Sequence, residues 1–198
     1  MIKTGFLYLL LLLFPDYNME CNLPINSSDR KSIDFIRLTD IGEFGLLRKE
    51  RPGVPSHYHT GIDIKRPSNN YHNEPIFAIS EGRVISIRKD GPYAQVIIEH
   101  GDSDFWTVYE HIAGIRVELY QQVNPNTPIA RFMNKEELHK YGWQFDHFHF
   151  EVLKMPPTRL KKNSTKPFRL FSSYTLACYT KDDLKRYFYD PIEFLKKH

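Results

Sequence analysis

Residues 84–109 read VISIRKDGPYAQVIIEHGDSDFWTVY, which is three apolar runs separated by two turns. The runs 84–87, 95–100 and 105–109 are rich in β-branched and aromatic residues, while Asp-Gly-Pro and Gly-Asp occupy the turns. Short runs of this kind without a helical period predict antiparallel strands. Residues 75–79, 128–133 and 146–153 continue the pattern. The sequence therefore predicts an all-β fold, an antiparallel sheet or a barrel-like structure, in a single domain.

Helices are expected only as short pieces in the second half of the chain. Residues 135–141 predict a helical turn. Near the end, Asp190, Pro191 and Glu193 form a helix N-cap, a first-turn proline and a capping-box acid. Between these elements, residues 154–169 carry six basic and no acidic side chains, with three prolines. This composition predicts a loop, and we interpret residues from about 154 to 186 as an insertion.

Composition limits the class of protein. The chain has 198 residues, 41% of them hydrophobic and 26% charged, which allows a folded core and excludes disordered, collagen-like and coiled-coil proteins. Its 27 basic and 24 acidic residues give a net charge of +3, too small to indicate nucleic-acid binding. Nine histidines are the first sign of metal or proton chemistry.

The N-terminus resembles a secretory signal peptide. Lys3 precedes an apolar run over residues 5–14, which as a helix would reach about 15 Å, half of the roughly 30 Å hydrocarbon layer. We therefore expect residues 1–20 to be a signal peptide or N-terminal anchor, 21–50 an N-terminal extension and 51–198 the main domain. Lipid attachment at Cys21 and a buried N-terminal helix remain alternatives.

Cys21 and Cys178 are the two cysteines. Their separation excludes a local metal knuckle, and they could form one disulfide in an oxidising compartment. We favour a simple buried thiol at Cys178.

Three segments carry candidate metal chemistry: His59-Thr60-Gly61-Ile62-Asp63, Tyr109-Glu110-His111 and Asp146-His147-Phe148-His149-Phe150-Glu151. Because residues two apart in a strand share a face, the first segment would place an imidazole and a carboxylate together, with Gly61 leaving space between them. The third would place two imidazoles together, with its phenylalanines in the opposite layer. If the strands are neighbours, three metal ligands converge.

Two neutral imidazoles and one carboxylate suit Zn²⁺, with a fourth position left for water. Zinc lowers the pKa of such a water from about 15.7 to about 7. An HxH pair alone also occurs in cupins, so a cupin-like metal oxidoreductase stays an alternative. The joint occurrence of the three segments on β structure is the specific signal.

Taken together, the segments resemble those of the lysostaphin-type (LytM-domain) zinc endopeptidases of bacterial cell walls. Members carry HxGxD, then Tyr-x-His, then an HxHxE-like segment, and the closing 190–195 segment is also similar. The resemblance covers roughly residues 55–153 and 189–195. It implies that His59, Asp63 and His149 bind one Zn²⁺ and that His111 and His147 are catalytic. Glu151 would orient a ligand or form an ordinary surface salt bridge.

The resemblance also implies the duplicated hybrid motif fold with short C-terminal helices. It implies hydrolysis of peptidoglycan cross-link peptides, in the periplasm or outside the cell, by an exported protein of the cell envelope. We expect a monomer without a nucleic-acid partner, and attachment to the membrane through the N-terminus stays open. The alternative function is a non-catalytic envelope protein of the same fold that activates or scaffolds another cell-wall hydrolase.

Two departures from the family pattern concern the cleft. Tyr141-Gly142-Trp143-Gln144-Phe145-Asp146 replaces a glycine-rich stretch, and the turn at residues 123–130 lacks two glycines. The cleft wall is therefore expected to be bulkier and aromatic, which affects substrate preference more than metal binding.

Overall fold

The computed structural model describes residues 21–101 and 104–198. The predicted signal peptide at residues 1–20 lies outside the described residues. Among the helices that the structure does describe, none combines the length and apolar character needed to cross a bilayer.

The described residues form a mostly antiparallel β structure with three short helices. The strands are β1 (Leu47–Arg48), β2 (His57–Tyr58), β3 (Ile62–Lys65), β4 (Pro75–Phe77), β5 (Gly82–Arg88), β6 (Gln95–His100), β7 (Phe105–Glu110), β8 (Gln122–Val123), β9 (Pro128–Arg131), β10 (His147–Leu153), β11 (Thr158–Arg159), β12 (Phe171–Ser172) and β13 (Phe188–Tyr189). The helices are α1 (Lys135–Tyr141), α2 (Lys181–Tyr187) and α3 (Pro191–Lys197). Short 3₁₀ helices occupy Ile33–Phe35, Gly91–Tyr93, Trp143–Phe145 and Thr175–Ala177.

The main sheet runs in the order β13-β10-β7-β6-β5-β8, and β3 pairs with the first half of β10. All of these pairs are antiparallel. The predicted all-β class is thus confirmed, as an open sheet within the described ranges rather than a closed barrel. The expected helices at residues 135–141 and after Asp190 are also present, as α1 and α3.

Both faces of the sheet are covered, which explains why β6 reads as a continuous apolar run. Val96 and Ile98 pack into the larger core cluster, whereas Ile97 packs on the other face with Val108 and Leu153. The second face is closed by Cys178 and by side chains from α2 and β13. Cys178 and Leu184, from the segment that the sequence predicts to be an insertion, therefore supply part of the core.

Residues 21–50 pack against the same sheet. Leu23 and Ile25 are buried in the larger cluster, and Ile25 and Leu38 form isolated bridges with Ile76 and Ile64. Burying such side chains stabilises a fold by about 1.5–3 kcal/mol each. The predicted N-terminal extension is thus in contact with the core of the domain along its length.

Both cysteines are free and buried. Burial raises the pKa of the Cys178 thiol to about 12, which keeps it protonated and unreactive at neutral pH. The buried-thiol interpretation of Cys178 is confirmed. The Cys21 thiol lies in the larger core cluster.

Candidate metal centre

Pairing of β3 with β10 brings two of the predicted ligands side by side. The Cα of Asp63 is opposite that of His149 in the register of the two strands. On the same face, Asp63 Oδ1 lies 2.9 Å from His149 Nδ1. Phe148 and Phe150 are fully buried in the opposite layer, as alternation along a strand requires. The condition that the strands be neighbours is therefore met.

His59 reaches the same point from outside the strands. It lies between β2 and β3, so the expectation that His59, Gly61 and Asp63 share one strand is wrong. The backbone instead turns there, and His59 Nε2 lies 3.1 Å from Asp63 Oδ1 and 3.0 Å from His149 Nδ1. Three ligand atoms thus form a nearly equilateral triangle, and all three residues are buried.

Gly61 is needed because the backbone of β10 passes directly over it. A Cβ at this position would lie 2.2 Å from the Phe150 carbonyl oxygen and 2.9 Å from His149 Cε1. The expectation that Gly61 leaves open space between two ligands is therefore wrong. The space is filled by the neighbouring strand, and glycine lets the two ligand-bearing segments approach closely.

Contacts on the outer side of each ring fix which nitrogen faces the triangle. His59 Nδ1 donates to the backbone carbonyl of Glu43 at 2.8 Å. His149 Nε2 donates to Glu151 Oε1 at 3.0 Å. A neutral imidazole has one N–H, so the inner nitrogens of both rings carry lone pairs. Two lone pairs and a carboxylate oxygen therefore point at one another within 2.9–3.1 Å.

Such a group of acceptors is stable only when a metal cation or a proton lies between them. The donor set of two imidazoles and one carboxylate is one that zinc takes in proteins. Tetrahedral zinc with bonds of about 2.0–2.1 Å separates its ligand atoms by roughly 3.3 Å, close to the spacing observed here. The second oxygen of Asp63 accepts a hydrogen bond from Arg48 Nη2 at 2.8 Å, so one oxygen remains directed at the triangle.

Protonation takes the place of a cation when none is bound. Burial alone would raise the pKa of Asp63, but its contacts with His149 and His59 outweigh burial and hold that pKa well below the usual range. Burial likewise opposes charge on His149, yet its contacts with Asp63 and Glu151 raise its pKa to about 10. A proton on His149 thus balances the buried carboxylates, and a metal dication would replace it.

Glu151 is a buried partner of the triangle rather than a surface residue. Its side chain is fully buried, and Oε1 also accepts the Thr60 hydroxyl at 2.5 Å. The interpretation of Glu151 as a surface salt bridge is therefore wrong, and its carboxylate contacts His149, as the other interpretation requires.

His111 and His147 lie beside the triangle. His147 begins β10, and its Nε2 is 3.8 Å from Asp63 Oδ1. His111 follows β7 with a φ of 62°, an unusual backbone angle for a residue with a side chain. The ring centroids of His111 and His147 are 5.3 Å apart, and those of His111 and His149 are 6.5 Å apart. All five predicted side chains are thus brought together.

Both of these histidines are neutral at pH 7. Burial lowers the pKa of His147 to about 4 and lowers that of His111 as well. His111 Nδ1 donates to the Pro92 carbonyl at 2.6 Å, which leaves the lone pair on Nε2. His111 therefore presents a proton acceptor.

Aromatic side chains surround His111, as the departures from the family pattern predicted. The ring of Phe145 lies 5.0 Å from that of His111 and 6.0 Å from that of Tyr93. Trp143 in the same 3₁₀ helix is 47% exposed, and its edge meets Tyr71.

The buried Arg66 side chain fixes the aromatic 3₁₀ helix Trp143–Phe145 against the sheet. Arg66 Nη2 contacts Asp146 Oδ1 at 2.8 Å and the Met133 carbonyl at 2.6 Å. Tyr71 Oη donates to the other oxygen of Asp146 at 3.1 Å. Asp146 lies between this 3₁₀ helix and His147, so the hydrogen bonds to Asp146 hold both the helix and the start of β10.

Residues 21–50 make contacts with the site that no sequence pattern indicates. The Glu43 carbonyl holds His59, and Arg48 holds Asp63. Neither residue belongs to a recognisable motif. A backbone carbonyl carries no signature in the sequence, and a lone arginine in a mixed segment is not distinctive.

The sequence matches a known protein family. The model of peptidase family M23 matches residues 57–167, which include all five predicted site residues. A search of curated proteins gave no match.

Among solved structures, CbpA from L. salivarius REN is 16% identical, with a TM-score of 0.55 over 89% of this chain and 95% of that one. This likeness shows the fold. Lysostaphin from Staphylococcus simulans, an antimicrobial peptidase, is 17% identical over 81% of this chain and 50% of that one, with a TM-score of 0.49. A zinc-containing peptidase from Vibrio cholerae is 25% identical over 68% of this chain and 37% of that one, with a TM-score of 0.46.

Proposed function

Because the chain belongs to peptidase family M23, we propose that it is a zinc-dependent endopeptidase that hydrolyses peptide cross-links of bacterial peptidoglycan. Membership of the family confirms the resemblance inferred from the three motifs. The zinc ion, the substrate and the roles of individual residues are the parts that we add.

The triangle of acceptor atoms carries the proposal. His59 Nε2, His149 Nδ1 and Asp63 Oδ1 meet within 2.9–3.1 Å, with their outer atoms already engaged by Glu43, Glu151 and Arg48. A zinc ion bound by these side chains supplies Lewis acidity, which makes water a stronger acid and polarises a peptide carbonyl.

His111 and His147 perform the proton chemistry in this proposal. His111 accepts a proton at Nε2, because its Nδ1 hydrogen is held by the Pro92 carbonyl. The His147 ring lies 5.3 Å from that of His111, and its Nε2 lies 3.8 Å from Asp63 Oδ1. In this proposal the two histidines, of which His111 has taken the one proton of the water, stabilise negative charge that develops on the carbonyl oxygen. Phe145 and Tyr93 exclude water from one side of His111 and so keep it neutral before the reaction.

We further propose that the protein acts outside the cytoplasm, since peptidoglycan lies there and residues 1–20 resemble a signal peptide. The assignment of residues 21–50 as an extension, 51–198 as the peptidase domain and about 154–186 as an insertion belongs to the same proposal.

Metal analysis of the purified protein, combined with mass spectrometry of digested sacculi, tests the proposed function. We expect one zinc per chain and released peptides whose ends identify the bond cleaved. His149→Ala should lose both the zinc and the activity. Undiminished wall hydrolysis by His149→Ala would refute the zinc mechanism. Tight binding to another wall hydrolase without metal-dependent cleavage would establish the scaffold alternative instead.

A further inference from the structure

Glu151 Oε1 accepts hydrogen bonds from three donors. It accepts from His149 Nε2 at 3.0 Å, from the Thr60 hydroxyl at 2.5 Å and from the Thr175 hydroxyl at 2.8 Å. Its partner oxygen, Oε2, is buried and has no hydrogen-bond partner. The orientation of this carboxylate is therefore set at one oxygen, by the ligand histidine and two hydroxyl groups.

We propose that Thr175 is a positioning residue of the metal centre and acts through Glu151 on His149. The inference rests on the proposed function. Thr175 lies outside residues 57–167, which the family model matches, and inside the inserted segment. The insertion would thus be a structural part of the metal site and not only a surface loop.

Thr175 is held in place from both sides along the chain. Tyr174 stacks on Tyr187 with 4.3 Å between ring centroids, and its hydroxyl donates to the Pro156 carbonyl at 2.6 Å. Cys178 is fully buried, and its carbonyl accepts from the Tyr58 backbone N–H at 2.8 Å. Tyr58 directly precedes His59. The segment from Thr175 to Cys178 therefore contacts the chain beside His59 and also contacts Glu151, the hydrogen-bond partner of His149.

The physical effect follows from the geometry of a carboxylate. When Oε1 loses one of its three donors, the Glu151 carboxylate is free to rotate. The hydrogen bond from His149 Nε2 to Oε1 then becomes longer or less well aligned. The His149 ring would then be less firmly held with Nδ1 facing the triangle. Changes in residues that orient metal ligands typically weaken metal binding by about 10–100-fold.

Zinc affinity measured by competition with a chromogenic chelator tests the proposal on the full chain. We expect Thr175→Val to bind zinc about tenfold more weakly and Thr175→Ser to bind like the wild type. Thr165→Val, which removes an exposed hydroxyl elsewhere in the insertion, is the matched control and should leave the affinity unchanged. The visible spectrum of the cobalt-substituted protein should change in Thr175→Val only, which a general loss of stability would not produce.

A double-mutant cycle separates action through Glu151 from an independent effect. If Thr175 acts through Glu151, adding Thr175→Val to Glu151→Gln weakens zinc binding by less than Thr175→Val does alone. Equal zinc affinity and cobalt spectra for folded Thr175→Val and wild type would overturn the inference, and Thr175→Ala serves if the valine variant does not fold. A wild-type protein that bound no zinc would overturn the proposed function as well.

Discussion

Replacing Gly61 with alanine tests whether the close approach of β3 and β10 builds the metal site. A Cβ at this position would lie 2.2 Å from the Phe150 carbonyl oxygen, whereas ordinary contact begins near 3.4 Å. The two segments must therefore separate by about 1 Å. The φ of Gly61 is not in the left-handed region, so no backbone strain adds to the clash.

The expected cost combines two contributions. Overpacking against a rigid backbone costs about 1–3 kcal/mol, and stretching a ladder hydrogen bond by about 1 Å removes roughly 1 kcal/mol more. A loss of about 3 kcal/mol in the free energy of unfolding lowers Tm by roughly 6–12 °C for a chain of this size. Zinc should also be lost, because metal sites tolerate ligand shifts of only about 0.2 Å.

Gly101→Ala is the matched control, since a Cβ at Gly101 meets no atom within 4 Å. Urea unfolding followed by circular dichroism gives the free energies, and metal analysis gives the zinc content of each variant. If Gly61→Ala unfolded within about 0.5 kcal/mol of Gly101→Ala and retained one zinc per chain, the account of the β3–β10 approach would be refuted.

Three other predictions concern residues around the site. Burial lowers the pKa of His100 to about 4 against an ordinary 6.5, so its neutral form contributes stability above pH 6.5 that is lost as the pH falls toward 4. The difference in unfolding free energy between wild type and His100→Gln should therefore shrink by about 2 kcal/mol from pH 7.5 to pH 5, and a constant difference would contradict the burial argument. Arg66→Met removes the buried partner of the Asp146 carboxylate and of the Met133 carbonyl. It should lower the free energy of unfolding in urea by about 3 kcal/mol, whereas replacing an exposed arginine should change it little. Replacing Lys161, Lys162 and Lys166 together by glutamate should weaken binding to sacculi about tenfold at low salt without changing zinc content, if the basic segment contacts anionic wall polymers. Unchanged binding in a pull-down assay would leave that segment an ordinary solvated loop.

The amino-acid sequence by itself determined the β architecture and the composition of the site. Strand alternation is a local property, so the spacing of His147, His149 and the phenylalanines between and after them was enough to assign faces. The turn residues around Gly91 and Gly101 gave the boundaries of β5, β6 and β7 for the same reason. The sequence therefore indicated two imidazoles and one carboxylate as candidate ligands before β3 and β10 were known to pair.

Only the tertiary structure decided how those side chains are held. Arg48, the Glu43 carbonyl and Thr175 each form one hydrogen bond, with Asp63, His59 and Glu151 respectively, and none of these bonds has a pattern in the sequence. The same is true of Gly61, whose role depends on the carbonyl of a strand almost ninety residues away. Local periodicity records which way a side chain points, whereas the partners that orient it are set by long-range packing, which a single sequence does not display.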